Sequence, residues 1–310
     1  AHPQALHELR LIVAHLIERN YRPEIDPRLE FTQQLLALAA LFRSRLIALV
    51  AHWIRVGYCQ GNFNSDNCAA AGFTLDYGPF GFCERFDPHF QPWIGGGEHF
   101  SFFNQPVAAE VNYQMFCSSI RPLLADDSQA LAGLEQIQEG FAAAMNQALA
   151  AMWASKLGLI HYNAALVTEL LQLLVSSNAD MTIFFRRLSD LPADLSALKD
   201  SFYTPSSEQL DAQWTRWLQS WRALLSNRAD LPAISAAMKR VNPTITWREW
   251  LIAPAYQQAA QGDFSLIQEL QALFSHPYED QPPHLDARYN RLKPLETFHA
   301  GGISHYSCSS

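Results

Sequence analysis

Charge is sparse in this 310-residue chain: Asp, Glu, Lys and Arg together make up 17% of it. Basic residues are the scarcer kind, 22 against 30 acidic, which leaves a formal net charge of -8. Without a dense Lys/Arg block the chain lacks the electrostatic footprint of a nucleic-acid or anionic-membrane binder. Cysteine is also scarce. Cys59, Cys68, Cys83, Cys117 and Cys308 form no CxxC pair, and an odd number excludes a disulfide scaffold, so a reducing compartment is the expectation. No uninterrupted apolar run reaches the ~18 residues that a bilayer crossing needs. The N-terminal stretch Ala1–Arg22 has no basic region followed by an apolar block, so it does not read as a secretory signal. Internal repeats and low-complexity linkers are absent. What is abundant is apolar: 49% of residues are hydrophobic, which makes this a folding sequence rather than a disordered one.

The apolar residues recur mostly at helical spacing. Leu6, Leu9, Leu11, Ile12, Leu16 and Ile17 form one stripe. Asp26-Pro27, a capping residue followed by a first-turn proline, predicts the start of a long second helix whose stripe runs from Leu35 to Trp53. Between Gly57 and Gly97 the helical period vanishes. Cys68–Ala71 and Phe73–Leu75 flank Gly72 as a small hairpin, and Gly78-Pro79, Asp87-Pro88 and Gly95-Gly96-Gly97 mark turns. Further helices are expected over 106–121, 128–155, 160–176, 180–189, 207–225, 231–240, 246–261 and 264–274, with Asp126, Asn178, Ser206 and Asp263 as caps. Residues 277–310 read as irregular. A boundary near Ala125 would divide the chain into 1–125 and 126–310.

Chemistry concentrates in the loop-rich stretch, as it tends to when loops are held on a rigid scaffold. Gly57-Tyr-Cys-Gln-Gly-Asn-Phe-Asn-Ser-Asp66-Asn67 is followed by Thr74-Leu-Asp76-Tyr77-Gly78-Pro-Phe. Asp66, Asn67 and Asp76 stand at the two ends of the expected hairpin, and a hairpin folds its ends together. Carboxylate and amide oxygens suit a hard ion such as Mg²⁺ that keeps waters and binds substrate phosphates. A nearby Asp can then take the proton of a hydroxyl nucleophile. The same residues also suit a plain loop, since Asx side chains bond their own backbone in turns. Elsewhere the signals are weaker. Glu98-His99 has no HExxH context, and no nucleophile elbow occurs. Trp214, Trp217, Trp221, Trp247 and Trp250 recur at helical spacing as packing residues. Arg186 and Arg187 are either paired with acids or ordinary surface charge.

The ordered motifs are similar to those of the selenoprotein O family, the YdiU proteins of bacteria. The sequences GYCQGNFNSDN and TLDYGPFGF resemble the family signature. So do Phe103-Asn-Gln-Pro106, Lys156-Leu-Gly-Leu159, Asp180-Met-Thr-Ile-Phe-Phe-Arg186, Met238-Lys-Arg-Val-Asn-Pro243, Gly262-Asp263 and the terminal Ser307-Cys-Ser-Ser310. The resemblance implies a mainly α fold. This would be a protein-kinase-like C-lobe with a small β-hairpin at the metal site, followed by a C-terminal helical region. It implies transfer of AMP from ATP to Ser, Thr or Tyr hydroxyls of proteins, or UMP transfer with Mn²⁺. By the same resemblance Asp66 is the proton acceptor, Asn67 and Asp76 hold Mg²⁺, and Asp76 also lies against the nucleotide. It implies ATP and hydroxyl-bearing proteins as partners, while the charge balance argues for no nucleic-acid or membrane partner, and the expected location is cytoplasmic for a bacterial protein or mitochondrial for a eukaryotic one.

Three departures qualify that expectation. The glycine-rich loop, strand lysine and partner glutamate that the family places upstream are missing. The chain therefore reads as the C-terminal portion of a longer enzyme, inactive without its N-lobe, or as a degenerate homologue that only binds other proteins. Gln60 stands where the family usually has His, and Asn62-Phe63 where it has Val-Met. Pro92 stands where the family carries a cysteine that pairs, in some members, with the tail cysteine, leaving Cys83 as a weak substitute. Cys308 matches a position of selenocysteine in some eukaryotic members, and both a redox role and no role stay open for it.

Overall fold

The computed structural model describes residues 3–93, 97–225 and 230–299. The fold is mainly helical. The helices are α1 (Pro3–Asn20), α2 (Phe31–Val56), α3 (Gln105–Ile120), α4 (Ser128–Glu139), α5 (Phe141–Lys156), α6 (Ala164–Ser176), α7 (Met181–Leu188), α8 (Glu208–Leu225), α9 (Leu231–Val241), α10 (Glu249–Ala259), α11 (Ser265–Ser275) and α12 (Pro283–Tyr289). Among the described residues the sheet is a single antiparallel pair, β1 (Tyr58–Cys59) with β2 (Gly81–Phe82), in register Tyr58↔Phe82 and Cys59↔Gly81. The chain forms two compact units interleaved in sequence. One gathers the residues up to His52 with Asn62–Tyr77 and Asn104–Leu149. The other gathers Trp53–Gly61, Gly78–Phe103 and the residues from Ala150 onward.

In the first unit, α2 supplies the central wall. Leu35, Leu38, Phe42 and Leu46 lie on one face at helical spacing and are buried. Phe42 meets Tyr113 of α3 at 5.8 Å, and Tyr113 stacks on Phe141 of α5 at 5.2 Å. The buried Tyr113 hydroxyl donates to the Ala39 carbonyl at 2.8 Å, so the ring's polar end is satisfied. Although Arg43 and Arg45 interrupt its apolar run, α2 is long and apolar enough, by length and composition, to cross a membrane. Its buried face is nonetheless packed within the unit.

Several expected boundaries move. Helix α2 begins at Phe31, not at Asp26-Pro27. Asp26 instead closes a local turn: its carboxylate accepts the Arg28 backbone N–H at 2.9 Å and binds the Arg28 guanidinium. The expected helix 128–155 is two helices that part at Gly140. Arg43 of α2 donates to the Ile137 carbonyl at 2.7 Å, and a Cβ on Gly140 would stand 2.7 Å from the same Arg43 nitrogen. The cap of α4 is Asp127, which accepts the Ala130 N–H, and the cap of α7 is Asp180, which accepts the Ile183 N–H. Asn178, expected as that cap, adopts φ 44° and donates to Thr204. The region after Pro277, expected to be irregular, contains α12 and a 3₁₀ turn at Leu295–His299.

The second unit is built around tryptophans. Trp214, Trp217 and Trp221 of α8 are fully buried and donate, in turn, to Ser177 Oγ at 2.7 Å, the Leu166 carbonyl at 2.9 Å and the Leu157 carbonyl at 2.9 Å. The rings thus tie α8 to both ends of α6 and to the residue after α5 while each indole N–H is satisfied. Trp247 departs from the expected packing role: it is 40% exposed, stacks on Phe80 at 5.9 Å and lines a cavity of about 350 Å³ with Ile252, Tyr256 and Phe274. Arg186 is buried and paired with Asp280 at 2.5 Å, and Arg187 pairs with Asp200 at 3.2 Å. Lys156 is wholly buried, donating to the Arg55 carbonyl and to Asn242 Oδ1, both at 2.8 Å.

Candidate functional site

In the second unit, the two segments that flank the candidate residues in sequence run side by side. Gly61 follows β1 with φ 74°, and a Cβ placed on it would lie 1.9 Å from the Pro79 carbonyl oxygen. Only glycine lets the outgoing and returning strands approach so closely with that backbone. β1 and β2 hold the two segments together through their ladder, extended by Cys83 N–H donating to the Gly57 carbonyl at 2.7 Å.

Within the first unit, the expected hairpin is present as a single antiparallel bridge, Cys68↔Thr74, with Gly72 at φ 76° in its turn. A 3₁₀ turn, Ser65–Asn67, leads into it. The hairpin therefore places Asp66 and Asn67 just before the bridge on one side and Asp76 just after it on the other. The turn is pinned from below. Tyr21 Oη donates to the Ala70 carbonyl at 2.6 Å and Arg45 Nη1 to the Ala71 carbonyl at 3.1 Å. Arg45 also binds Glu24 at 2.7 Å and lies 4.0 Å from the centre of the Tyr21 ring. A Cβ on Gly72 would fall 2.4 Å from Arg45 Cβ, so the turn sits directly on α2. Burial pushes the Tyr21 phenol up to about 12 despite the adjacent Arg45, so it stays a donor at any physiological pH. On the other flank, the buried Asn112 amide of α3 donates to the Phe63 carbonyl at 2.9 Å.

Each candidate side chain has a distinct environment. Asp66 is exposed, and its carboxylate makes no hydrogen bond or ion pair with the described residues. Asn67 is half-buried; its amide nitrogen donates to the Asn62 carbonyl at 3.1 Å, which turns the amide oxygen away from that carbonyl. That oxygen accepts no hydrogen bond from the described residues, so it is oriented and unshared. Asp76 is half-buried with φ 62°, a left-handed backbone that is uncommon for any residue with a Cβ, although aspartate adopts it more readily than most. Strain of that kind persists where surrounding structure imposes it, and it clusters at functional positions. Among the described residues, no three His, Cys, Asp or Glu side chains converge to enclose an ion. The donor set here is instead an oriented amide oxygen plus a carboxylate, which fits a hard divalent cation completed by water and phosphate oxygens. Cys68, beside Asn67, is held inert: burial raises its thiol to about 12.

Tyr21, Arg45 and Asn112, which hold this loop, carry no motif. Their partners lie 49, 26 and 49 residues away in sequence, so helix patterning alone does not reveal them. Pro92 is half-buried, and Cys83 is buried with its thiol donating to the Arg85 carbonyl at 3.1 Å. Cys308 and the terminal Ser307-Cys-Ser-Ser310 lie outside the described residues.

The chain that carries this hairpin matches, over residues 2–275, the family described as protein adenylyltransferase SelO. The chain belongs to that family. Its relatives include the protein nucleotidyltransferase YdiU of Tolumonas auensis, 34% identical over 272 residues, covering 84% of this chain and 51% of the relative. The protein of the same description from Xanthomonas axonopodis pv. citri is 35% identical over 276 residues, covering 86% of this chain and 52% of the relative. That from Aromatoleum aromaticum is 31% identical over 276 residues, with the same two shares, 86% and 52%. The chain thus spans about half the length of the curated relatives it matches.

Proposed function

We propose that this chain is the helical, kinase-C-lobe-like portion of a protein nucleotidyltransferase, which moves AMP from ATP to Ser, Thr or Tyr hydroxyls of other proteins. The observation that carries this reading is the hairpin that sets Asp66, unpaired among the described residues, and an oriented Asn67 oxygen at one end and the left-handed Asp76 at the other. In this reading Asn67 and Asp76 hold Mg²⁺, or Mn²⁺ for transfer of UMP. The ion would offset the negative charge that gathers on the α-phosphate in the transition state. Asp66 accepts the hydroxyl proton as the hydroxyl oxygen bonds to the α-phosphorus. The bond from that phosphorus to the bridging oxygen then breaks and pyrophosphate leaves. Asp66 suits the role because it is exposed and engaged by no cation of the described chain. The nucleotide-clamping groups belong, in this reading, to the part of the protein for which this chain has no matching motif.

The test is a transfer assay on the complete protein with ATP labelled at the α- or the γ-phosphate. Label from the α position should appear on protein, label from the γ position should not, and Asp76→Ala should abolish it. Equal transfer by wild type and Asp76→Ala would overturn the assignment. A second reading is favoured by Gln60 and Pro92, which stand where the family carries other residues: the 310-residue chain is a non-catalytic module that binds proteins. Tight ATP·Mg²⁺ binding by the chain alone would count against it.

A further inference from the structure

The residues after β2 form one side of a buried charge cluster in the second unit that the proposed reaction does not use. Asp180 is fully buried, and Arg248, 2% exposed, grips it through two hydrogen bonds of 2.6 and 2.8 Å. Glu84, 11% exposed, stands 3.7 Å from the same guanidinium and accepts a 2.9 Å bond from Trp250 Nε1. One guanidinium therefore serves two buried carboxylates, and Asp180 takes both short bonds. A second buried carboxylate without its own close cation is costly to ionise.

The cation that acts on Glu84 besides Arg248 is Lys293, from the C-terminal part of the chain. Residues 291–298 lie along the cluster. The Arg291 carbonyl accepts from Arg248 at 3.5 Å, and the Arg291 guanidinium lies 4.9 Å from the Trp250 ring centre. The Lys293 N–H donates to Tyr203 Oη at 2.9 Å. Phe298 packs edge-on to Tyr203 at 5.6 Å, and the Arg85 guanidinium lies 3.8 Å from the Phe298 ring centre. These contacts make residues 291–298 a strap over Glu84 and Arg85, held by few bonds and two cation–π contacts.

We propose that Glu84 is a proton-operated latch for this strap: protonated, it stays sealed beneath residues 291–298, and loss of its proton to water favours an open form that hydrates the carboxylate. Charged and titratable groups reach Glu84 from every element packed on it. They are Asp180 from the cap of α7, Arg248 from the start of α10, Lys293 from the strap, and Tyr203 beside the strap. Burial dominates and pushes the carboxyl up to about 7 against the pull of Arg248 and Lys293, with Asp180 acting in the same direction as burial. A state that returns the carboxylate to water lowers that value, so by linkage the open state gains as pH rises. The latch is separate from nucleotide chemistry and concerns only how firmly the strap covers the segment that follows β2.

Hydrogen exchange of residues 290–299 in the full protein, corrected for intrinsic rates, tests it directly. From pH 6 to pH 8, protection should fall by about tenfold. That is the factor linkage gives for a carboxyl of about 7 when closed and of ordinary acidity when open. Glu84→Gln keeps an acceptor for Trp250 and should make protection independent of pH. Should that variant fail to fold, Lys293→Ala serves instead. It removes the cation that lowers Glu84, and should lose more protection at pH 8 than at pH 6. A strap equally protected at both pH values in wild type, or an unchanged pH response in Glu84→Gln, would overturn the latch.

Discussion

Asp76 and Gly61 show how single residues constrain the backbone, each within its own unit. Asp76 keeps a left-handed backbone at φ 62° that aspartate and asparagine tolerate better than other residues with a Cβ. Asp76→Asn should therefore keep the backbone conformation, read as an unchanged far-ultraviolet circular dichroism spectrum, while losing divalent-ion binding. Asp76→Ala should in addition lose roughly 1 kcal/mol of stability, because alanine accepts this backbone less readily. Thermal unfolding and ion titration of the two variants separate the contributions. Gly61 has no such tolerance to exploit: its Cβ position is 1.9 Å from a backbone oxygen, and its φ is 74°. Gly61→Ala should cost more than about 2 kcal/mol, read as a lower denaturant midpoint, since neither the backbone nor the contact can relax cheaply.

At the level of elements, the hairpin is held by its neighbours more than by its own single bridge. Arg45→Met removes the donor to the Ala71 carbonyl and leaves Glu24 without its cation. The expected loss is about 1–3 kcal/mol, together with weakened ion binding, while Arg45→Lys should recover part of both. This also marks how far the sequence can be read. The hairpin, Gly72 at its turn and the ends occupied by Asp66, Asn67 and Asp76 were legible, because a turn is a local event with local residue preferences. Caps slipped by one or two residues, from Asp126 to Asp127 and from Asn178 to Asp180, because neighbouring Asx residues look equivalent until the chain's direction is known. The gap at Gly140 depends on Arg43, 97 positions earlier. The β1–β2 pair is not legible in the sequence because two-residue strands have no alternation. The cluster of Glu84, Asp180 and Arg248 is not legible either, being assembled from three distant segments.

For the whole molecule, buried charge sets the response to pH. Glu84 titrates near 7 in the folded protein against 4.5 ordinarily, its proton retained by burial. Between those values the folded form holds a proton that the unfolded chain has released. Stability from this group is thus fully present below about pH 4.5 and is lost as pH rises through about 7, by up to on the order of 3 kcal/mol. Glu84→Gln should flatten that part of the stability curve, measured by denaturant unfolding from pH 5 to pH 8. Lys156 acts in the opposite sense. Burial and the Arg55 charge hold its pKa well below the usual lysine range, so its contribution weakens as pH falls. Family membership, over residues 2–275, concerns a chain that spans about half of its relatives, so activity is a property to be sought in the complete protein.

The most direct measurement is Mn²⁺ binding to the complete protein in the presence of ATP, followed by electron paramagnetic resonance, for wild type, Asn67→Ala and Asp76→Asn. If the hairpin's two ends share one ion, each substitution should weaken binding by at least tenfold while the far-ultraviolet circular dichroism spectrum stays the same. Binding of wild-type strength in both variants would contradict a shared ion at Asn67 and Asp76.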